Sequence, residues 1–281
     1  MILKNKNYLL LFLIFLSGCT HPGFEKASDP APFLKYSNVL FGQDTLQQIM
    51  DVFLPVNRNI VNTPVVILIH GGSWIQGDKI DFNGSGIDTF FTANGCALIN
   101  MNYRLDQKYK YPAPVDDIGF VMDYIKQKAA EWQINPDRVC LLGKSSGSQL
   151  ALMYAYSRNQ DGRVKAVIDG YGPTNFTDSS ISNGPLGQNV AVLLGPYLIN
   201  QQSWHDASPI YYMAGAVPTI IFQGTADQLV YPVQSHMLQD SLLARGKPCM
   251  FINWEGSGHG WNTPGWLQWK YGVLDWLRHY L

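Results

Sequence analysis

The chain has 281 residues, 46% of them hydrophobic and 15% charged, with a formal net charge of −1. Such a composition can bury a large core and excludes a disordered polar chain. The lack of a basic excess argues against nucleic acid as a partner, and the length suits one large α/β domain.

The first 18 residues differ from the rest. Lys4 and Lys6 make a positive start, an apolar run follows from Tyr8 to Leu16, and Ser17-Gly18-Cys19 closes it. A short apolar stretch after a basic start is a secretory signal, too short to span a bilayer comfortably. Leu16-Ser17-Gly18-Cys19 resembles a bacterial lipobox. The resemblance implies cleavage before Cys19, a lipid on its thiol and attachment to a membrane. Thr20 in the next position implies the outer membrane of a Gram-negative cell envelope. Residues 20–33, rich in Pro, Ala and polar side chains, read as a linker, so residues 19–33 form anchor and linker and 34–281 the folded domain.

Strand and helix patterns then alternate. Residues 48–54 read as a strand with partial alternation. The β-branched run Val65–Ile69 reads as a strand covered on both faces, and residues 96–101 as another. Over 114–130, Val115, Ile118, Val121, Met122 and Ile125 share one helical face. Residues 138–142, 164–169, 218–222 and 248–254 read as further strands. Residues 149–156, 232–244 and 266–280 read as helices. This alternation predicts a mostly parallel central sheet with helices on both faces. Residues 172–209 break the rhythm with Gly and Pro and no clear period, and are expected to form a small cap insertion.

Gly143-Lys144-Ser145-Ser146-Gly147 lies between a predicted strand and a predicted helix. That is the context of a nucleophile elbow, where small residues allow the turn and Ser145 is presented at the sheet's carboxyl edge. His70-Gly71-Gly72-Ser73-Trp74 directly follows a strand. Backbone N–H groups on such a loop can meet negative charge developing on a carbonyl oxygen. Gly72 and Ser73, with the N–H of Ser146, are the expected oxyanion donors, and Gly71 is an alternative to Ser73. A hydroxyl needs an adjacent base. Of six histidines, only His259 sits in a Gly-rich loop just past the last predicted strand. Asp227 follows the strand over 218–222 and completes the order Ser, Asp, His. Glu255 is the competing acid. His70 is expected to orient its loop rather than act as base.

Taken together, these segments resemble the α/β-hydrolase superfamily, within it the small hormone-sensitive-lipase-like esterases and the HGGxW group that includes BD-FAE-like proteins. Further matches are Gly77-Asp78-Lys79, Asn102-Tyr103-Arg104, Tyr111-Pro112-Ala113 and Ser208-Pro209. The resemblance implies an α/β-hydrolase fold and hydrolysis of carboxylic esters through an acyl-enzyme on Ser145, with no cofactor. The same triad also serves formamidases and peptidases in related groups, and a binding protein that merely kept the fold is a third possibility. Ser73 stands where many relatives have a third glycine. Lys144 is unusual before the nucleophile and is expected to be solvated or to face the cap.

Trp74 and Trp261 flank the two loops and are expected to contact substrate, with Trp204 in the cap beside them. A small cap leaves a shallow site, which points to short acyl groups, such as acetyl groups on a glycan. Asp116 and Asp117 are expected to place charge at a helix N-terminus. No His or Cys cluster has metal-ligand spacing. Cys96, Cys140 and Cys249 lie in apolar runs with no nucleophile-like surroundings.

Overall fold

The computed structural model describes residues 33–105, 108–260 and 263–281. The signal, the lipidation site Cys19 and Trp261 lie outside the described residues.

Eight strands form one sheet: β1 (Phe33–Leu40), β2 (Ile49–Pro55), β3 (Val65–Ile69), β4 (Ala97–Met101), β5 (Val139–Lys144), β6 (Val164–Gly170), β7 (Thr219–Gly224) and β8 (Cys249–Trp254). Their order across the sheet is β1-β2-β4-β3-β5-β6-β7-β8. The β1–β2 and β2–β4 pairs are antiparallel, and every pair from β4 to β8 is parallel. This is the mostly parallel sheet expected from the alternation, in the α/β-hydrolase arrangement that the resemblance implies.

Strands buried on both faces divide their side chains by parity. Val65, Ile67 and Ile69 of β3 join one core cluster, with Val139 and Leu141 of β5. Val66 and Leu68 join the opposite cluster, with Cys140 and Leu142. The first cluster is covered by α2 (Ala113–Trp132), α3 (Ser146–Ser157) and α7 (Val233–Ala244). The second is covered by α1 (Ile87–Ala93) and α8 (Thr263–Tyr280), whose Trp269, Val273, Trp276 and Leu277 make a helical stripe.

Two elements were not foreseen. β1 begins at the last residue assigned to the linker, and its side chains are mostly exposed. An edge strand of this kind has no apolar periodicity to read. α1 is only 7 residues long. The cap insertion contains short helices, α4 (Ser179–Ser182), α5 (Gly187–Leu194) and α6 (Gln201–Asp206), followed by a 3-10 stretch over Pro209–Gly215.

One buried ion pair fixes the loop after β3 to the sheet. Lys79 Nζ lies 3.0 Å from Asp51 Oδ1, and both side chains are 5% exposed. Asn102 Oδ1 accepts from Lys79 N, and Asn100 Nδ2 donates to Lys79 O. Asn102 Nδ2 donates to Asp78. The Gly77-Asp78-Lys79 and Asn102-Tyr103-Arg104 motifs are thus two halves of one contact. Asp51→Leu strands the Lys79 ammonium in the interior, so it should cost about 3–5 kcal/mol of stability in urea unfolding. The Asp51→Leu/Lys79→Met double variant should recover most of that loss.

Candidate active site

β5 delivers Ser145, the expected nucleophile. Ser145 has φ 54 and ψ −124, left-handed for a residue with a side chain. The flanking glycines explain why the chain accepts this. A Cβ on Gly143 would lie 2.3 Å from Gly147 O, and one on Gly147 would lie 2.3 Å from Ile69 O. Ser145 N donates to Gly170 O at 2.8 Å, tying the turn to β6.

Ser145 Oγ lies 2.9 Å from His259 Nε2, and His259 Nδ1 lies 2.8 Å from Asp227 Oδ2. The three side chains assigned from chain order come together in hydrogen-bond sequence. Asp227 is further held by Leu229 N and Val230 N on Oδ1 and by Gln223 Nε2 on Oδ2. Burial pushes the Asp227 carboxyl up, but the His259 hydrogen bond and charge and the two backbone donors outweigh it, so the carboxyl titrates below its ordinary value. It is therefore held ionised beside His259. Glu255, the competing acid, is exposed. Tyr171 packs edge-on to the His259 ring at 4.7 Å.

The loop after β3 lies directly against this group. A Cβ on Gly71 would sit 3.3 Å from Ser145 Cβ. Gly72, Ser73 and Trp74 all have positive φ, at 116°, 53° and 63°. Two non-glycine residues in this region store strain that the surroundings must hold. Ile75 N and Gln76 N both turn back onto Gly72 O. Among the described residues, the N–H groups of Gly72 and Ser73 have no hydrogen-bond partner within the chain. Ser146 opens α3, where the first N–H groups lack helical partners. The loop that carries Gly72 and Ser73 thus starts against Ser145, and Ser146 follows Ser145 in the chain.

His70 serves the loop. Its Nδ1 donates to Gly71 O at 2.6 Å, and its ring stacks on Tyr103 at 4.3 Å. Burial holds its imidazole below the usual histidine range, so it is neutral.

Three expectations need correction. Trp74 is fully buried: its Nε1 donates to Gln149 Oε1 at 3.0 Å, and Phe176 packs edge-on at 5.4 Å. Trp204 is 1% exposed and donates to Gly195 O. Neither presents a face to substrate, because the cap folds down over them. Lys144 is half-buried and turns to the face of Phe82 rather than to the cap. Its Nζ sits over the Phe82 ring at 4.5 Å, and burial lowers its ammonium from the usual lysine range, with Asp81 opposing. Asp117 does not serve a helix terminus. It is fully buried and binds Arg104 and Gln48, whereas Asp116 does lie in the first turn of α2, as expected, and pairs with Arg158.

Several positioning residues carried no assigned role in the sequence. Tyr103 Oη donates to His70 O at 3.2 Å and lies 3.5 Å from Ser146 Oγ. Gln149 accepts from Trp74 and donates to Ala207 O, joining elbow helix, loop and cap. Gln223 holds Asp227 and accepts from Ser235 Oγ. For the two glutamines the signal is a buried amide inside an apolar run, as in Ile220-Ile221-Phe222-Gln223. Cys96, Cys140 and Cys249 are free thiols, and burial pushes Cys96 up to about 12.

A model of the BD-FAE family matches residues 50–242. Among curated proteins, the chain is 24% identical over 244 residues to the probable carboxylic ester hydrolase LipM of Mycobacterium tuberculosis, covering 81% of this chain and 56% of that one. The chain therefore spans little more than half the length of that relative. Among solved structures, a truncated carbohydrate esterase from gut microbiota superposes with TM-score 0.75 at 22% identity, over 89% of this chain and 98% of that one. A bifunctional GH43-CE protein of Bacteroides eggerthii gives TM-score 0.76 at 22% identity, over 88% of this chain and 38% of that one.

The elbow also rests on a buried acid. Asp169, at the end of β6, accepts from Gly172 N on Oδ1, and burial pushes its carboxyl up to about 7. The folded state then keeps a proton that the unfolded state loses near the ordinary value of 3.8. Stability must fall as pH rises between these two values and level off above about 7, with a limiting slope of about 1.4 kcal/mol per pH unit. Asp169→Asn should remove this component, so urea midpoints of the variant should gain on the parent from about pH 5 to pH 7. Parallel profiles would show that Asp169 is ionised in the fold.

Proposed function

The chain belongs to the BD-FAE family, and we propose that it is a serine carboxylic ester hydrolase acting through Ser145, His259 and Asp227. The observation that carries this reading is the unbroken hydrogen-bond chain from Ser145 Oγ through His259 to Asp227, at 2.9 and 2.8 Å. His259 Nε2 takes the Ser145 proton as Oγ bonds to the ester carbonyl carbon. The N–H groups of Gly72, Ser73 and Ser146 receive the resulting oxyanion. The intermediate collapses, and the alcohol leaves with the proton held by His259. Water then enters, loses a proton to His259 and bonds to the acyl carbon; the carbon–Oγ bond breaks, the acid leaves, and His259 returns the proton to Ser145 Oγ. The name of the Mycobacterium tuberculosis relative supports this bond specificity.

We further propose short acyl groups, acetyl on a carbohydrate foremost. The space between the oxyanion loop and the cap is filled by Trp74, Phe176 and Trp204, each at most 1% exposed. A long acyl chain would have to displace them, losing the burial that each aromatic ring contributes. The carbohydrate esterase among the similar structures supports the sugar side. Trp74 and Trp204, being buried, do not supply a stacking platform. For the envelope location, the Leu16-Ser17-Gly18-Cys19 pattern supports a lipid on Cys19.

Ser145→Ala should lower kcat/KM on p-nitrophenyl acetate by several orders of magnitude, whereas Ser146→Ala, which keeps its N–H, should cost far less. Equal losses would remove the assignment. Asp227→Asn should approach the Ser145 loss and Glu255→Gln should be mild. Across p-nitrophenyl esters, kcat/KM should fall beyond butyrate, and a steady rise to dodecanoate would overturn the short-acyl reading. Cys19→Ser should move the protein from the membrane fraction to the soluble fraction, and a soluble parent would refute the anchor.

A further inference from the structure

A trough of about 690 Å³ opens on the same edge of the sheet as Ser145, outside the site described above. Its walls include Asp44, Leu46, Arg104, Lys108, Tyr109 and Phe120, and none of its lining residues belongs to the triad or the oxyanion loop. The loop between β1 and β2 reaches that edge because Ile49 O accepts from Asn102 N, just past the end of β4. In the sheet order, β4 and β3 lie between β2 and β5. Three strand spacings separate the trough from the elbow strand, roughly 14 Å. One sugar residue cannot occupy both places, but one oligosaccharide can.

The chemistry of the walls selects among ligands. Tyr109 Oη donates to Asp44 Oδ2 at 2.7 Å, and Lys108 Nζ lies 3.5 Å from the same oxygen. The Tyr109 hydrogen bond, helped by Leu46 N, lowers the Asp44 carboxyl to about 2, so it is an acceptor at every working pH. Arg104 is paired with Asp117, and its guanidinium carbon lies over the Tyr109 ring at 5.3 Å. Each cation thus already has its carboxylate, and an anionic ligand would find no uncompensated charge. Phe120 is 44% exposed and Leu46 is 80% exposed, which gives apolar walls beside the polar floor. A carboxylate acceptor, two cationic donors and an apolar wall together match a neutral sugar, whose hydroxyls and C–H faces alternate.

We infer that this trough is a distal carbohydrate subsite, binding a neutral residue of the same oligosaccharide whose ester meets Ser145. The inference rests on the carbohydrate-ester reading proposed above. The segment between trough and cap links the two: Lys110 Nζ donates to Val192 O and Tyr111 Oη to Asp206 O, while Tyr109 faces the trough. An occupied trough therefore abuts the segment that holds the cap.

The test separates binding from turnover. Ester-free β-1,4-linked xylo-, manno- and gluco-oligosaccharides, from disaccharide to hexasaccharide, are titrated calorimetrically into the full chain carrying Ser145→Ala. At least one series should bind more tightly with length. Adding Lys108→Ala and Phe120→Ala, both at exposed positions, should weaken the hexasaccharide at least tenfold. In a chain with Ser145 intact, the same two substitutions should leave kcat/KM on p-nitrophenyl acetate within twofold. On the acetylated hexasaccharide they should raise KM with kcat unchanged. Equal hexasaccharide affinity with and without the two substitutions, or binding of none of the three series, would overturn the trough assignment, even if acetylated sugars are hydrolysed. Failure of the parent to hydrolyse any acetylated oligosaccharide, with the trough-dependent affinity intact, would overturn the ester reading and leave the sugar site standing.

Discussion

The site depends on one backbone contact, the seating of the first turn of α3 against the end of β3. A Cβ on Gly147 would lie 2.3 Å from Ile69 O and 2.4 Å from His70 O, and one on Gly143 would meet Gly147 O. With helix and strand this close, the residue between β5 and α3 must turn sharply, and Ser145 takes a left-handed φ. Such a conformation costs on the order of 1–3 kcal/mol and persists only when over-determined. Gly170 accepts from Ser145 N, and the Ser148 hydroxyl bridges Gly170 N and O, so β6 holds the turn from the other side. The same contact that strains Ser145 brings the start of the loop after β3 within a few ångströms of its hydroxyl.

That loop is itself strained, and its restraints come from distant parts of the chain. Tyr103 reaches it from the end of β4, through His70. Lys79 and Asn102 pin its far end to β2 and β4. Gln149 holds Trp74 from α3. Donors intended for a developing charge act without reorganising only if nothing in the ground state lets them relax. The short motifs scattered through the first half of the chain are the parts of this single restraint. That is why they recur as separate words in the sequence and as one object in space.

The covered strands were legible because burial on both faces leaves an uninterrupted β-branched run, as in Val65–Ile69, and burial on one face of α2 leaves a 3.6 period. Ser145, Asp227 and His259 were legible because each sits just past a strand at the carboxyl edge, in chain order. What escaped has physical reasons. β1 is an edge strand with little burial, and the cap is made of helices too short to show a period. Trp74 and Trp204 were placed near substrate because sequence position gives proximity to a loop but not side-chain direction. Their rings turn inward, and the indole N–H of each finds a carbonyl or amide acceptor. Lys144 was misplaced for the same reason: parity along β5 sends it to the face of Phe82. Buried amides such as Gln223 were passed over because a single polar residue in an apolar run has no pattern of its own.

The inward turn of those tryptophans joins two functions that could have been separate. Trp74 belongs to the strained loop, Phe176 and Trp204 belong to the cap, and the three rings pack edge-on in a row, at 5.4 and 6.4 Å between neighbouring centroids. Ser208 clamps the cap end of this row, accepting from Phe176 N and donating to Trp204 O. Close-packed aromatic layers do not yield at one position without moving the next. Enlarging the acyl side by trimming a cap aromatic therefore removes support from Trp74, and through it from the loop that carries Gly72 and Ser73. In the proposed reaction, acyl selectivity and oxyanion stabilisation are then coupled, and a larger pocket should come at the expense of rate. The alcohol side is free of this coupling, because the trough lies beyond β3 and β4 and shares none of these rings. If the trough is the proposed sugar subsite, a chain built this way would diversify its sugar far more readily than its acyl group.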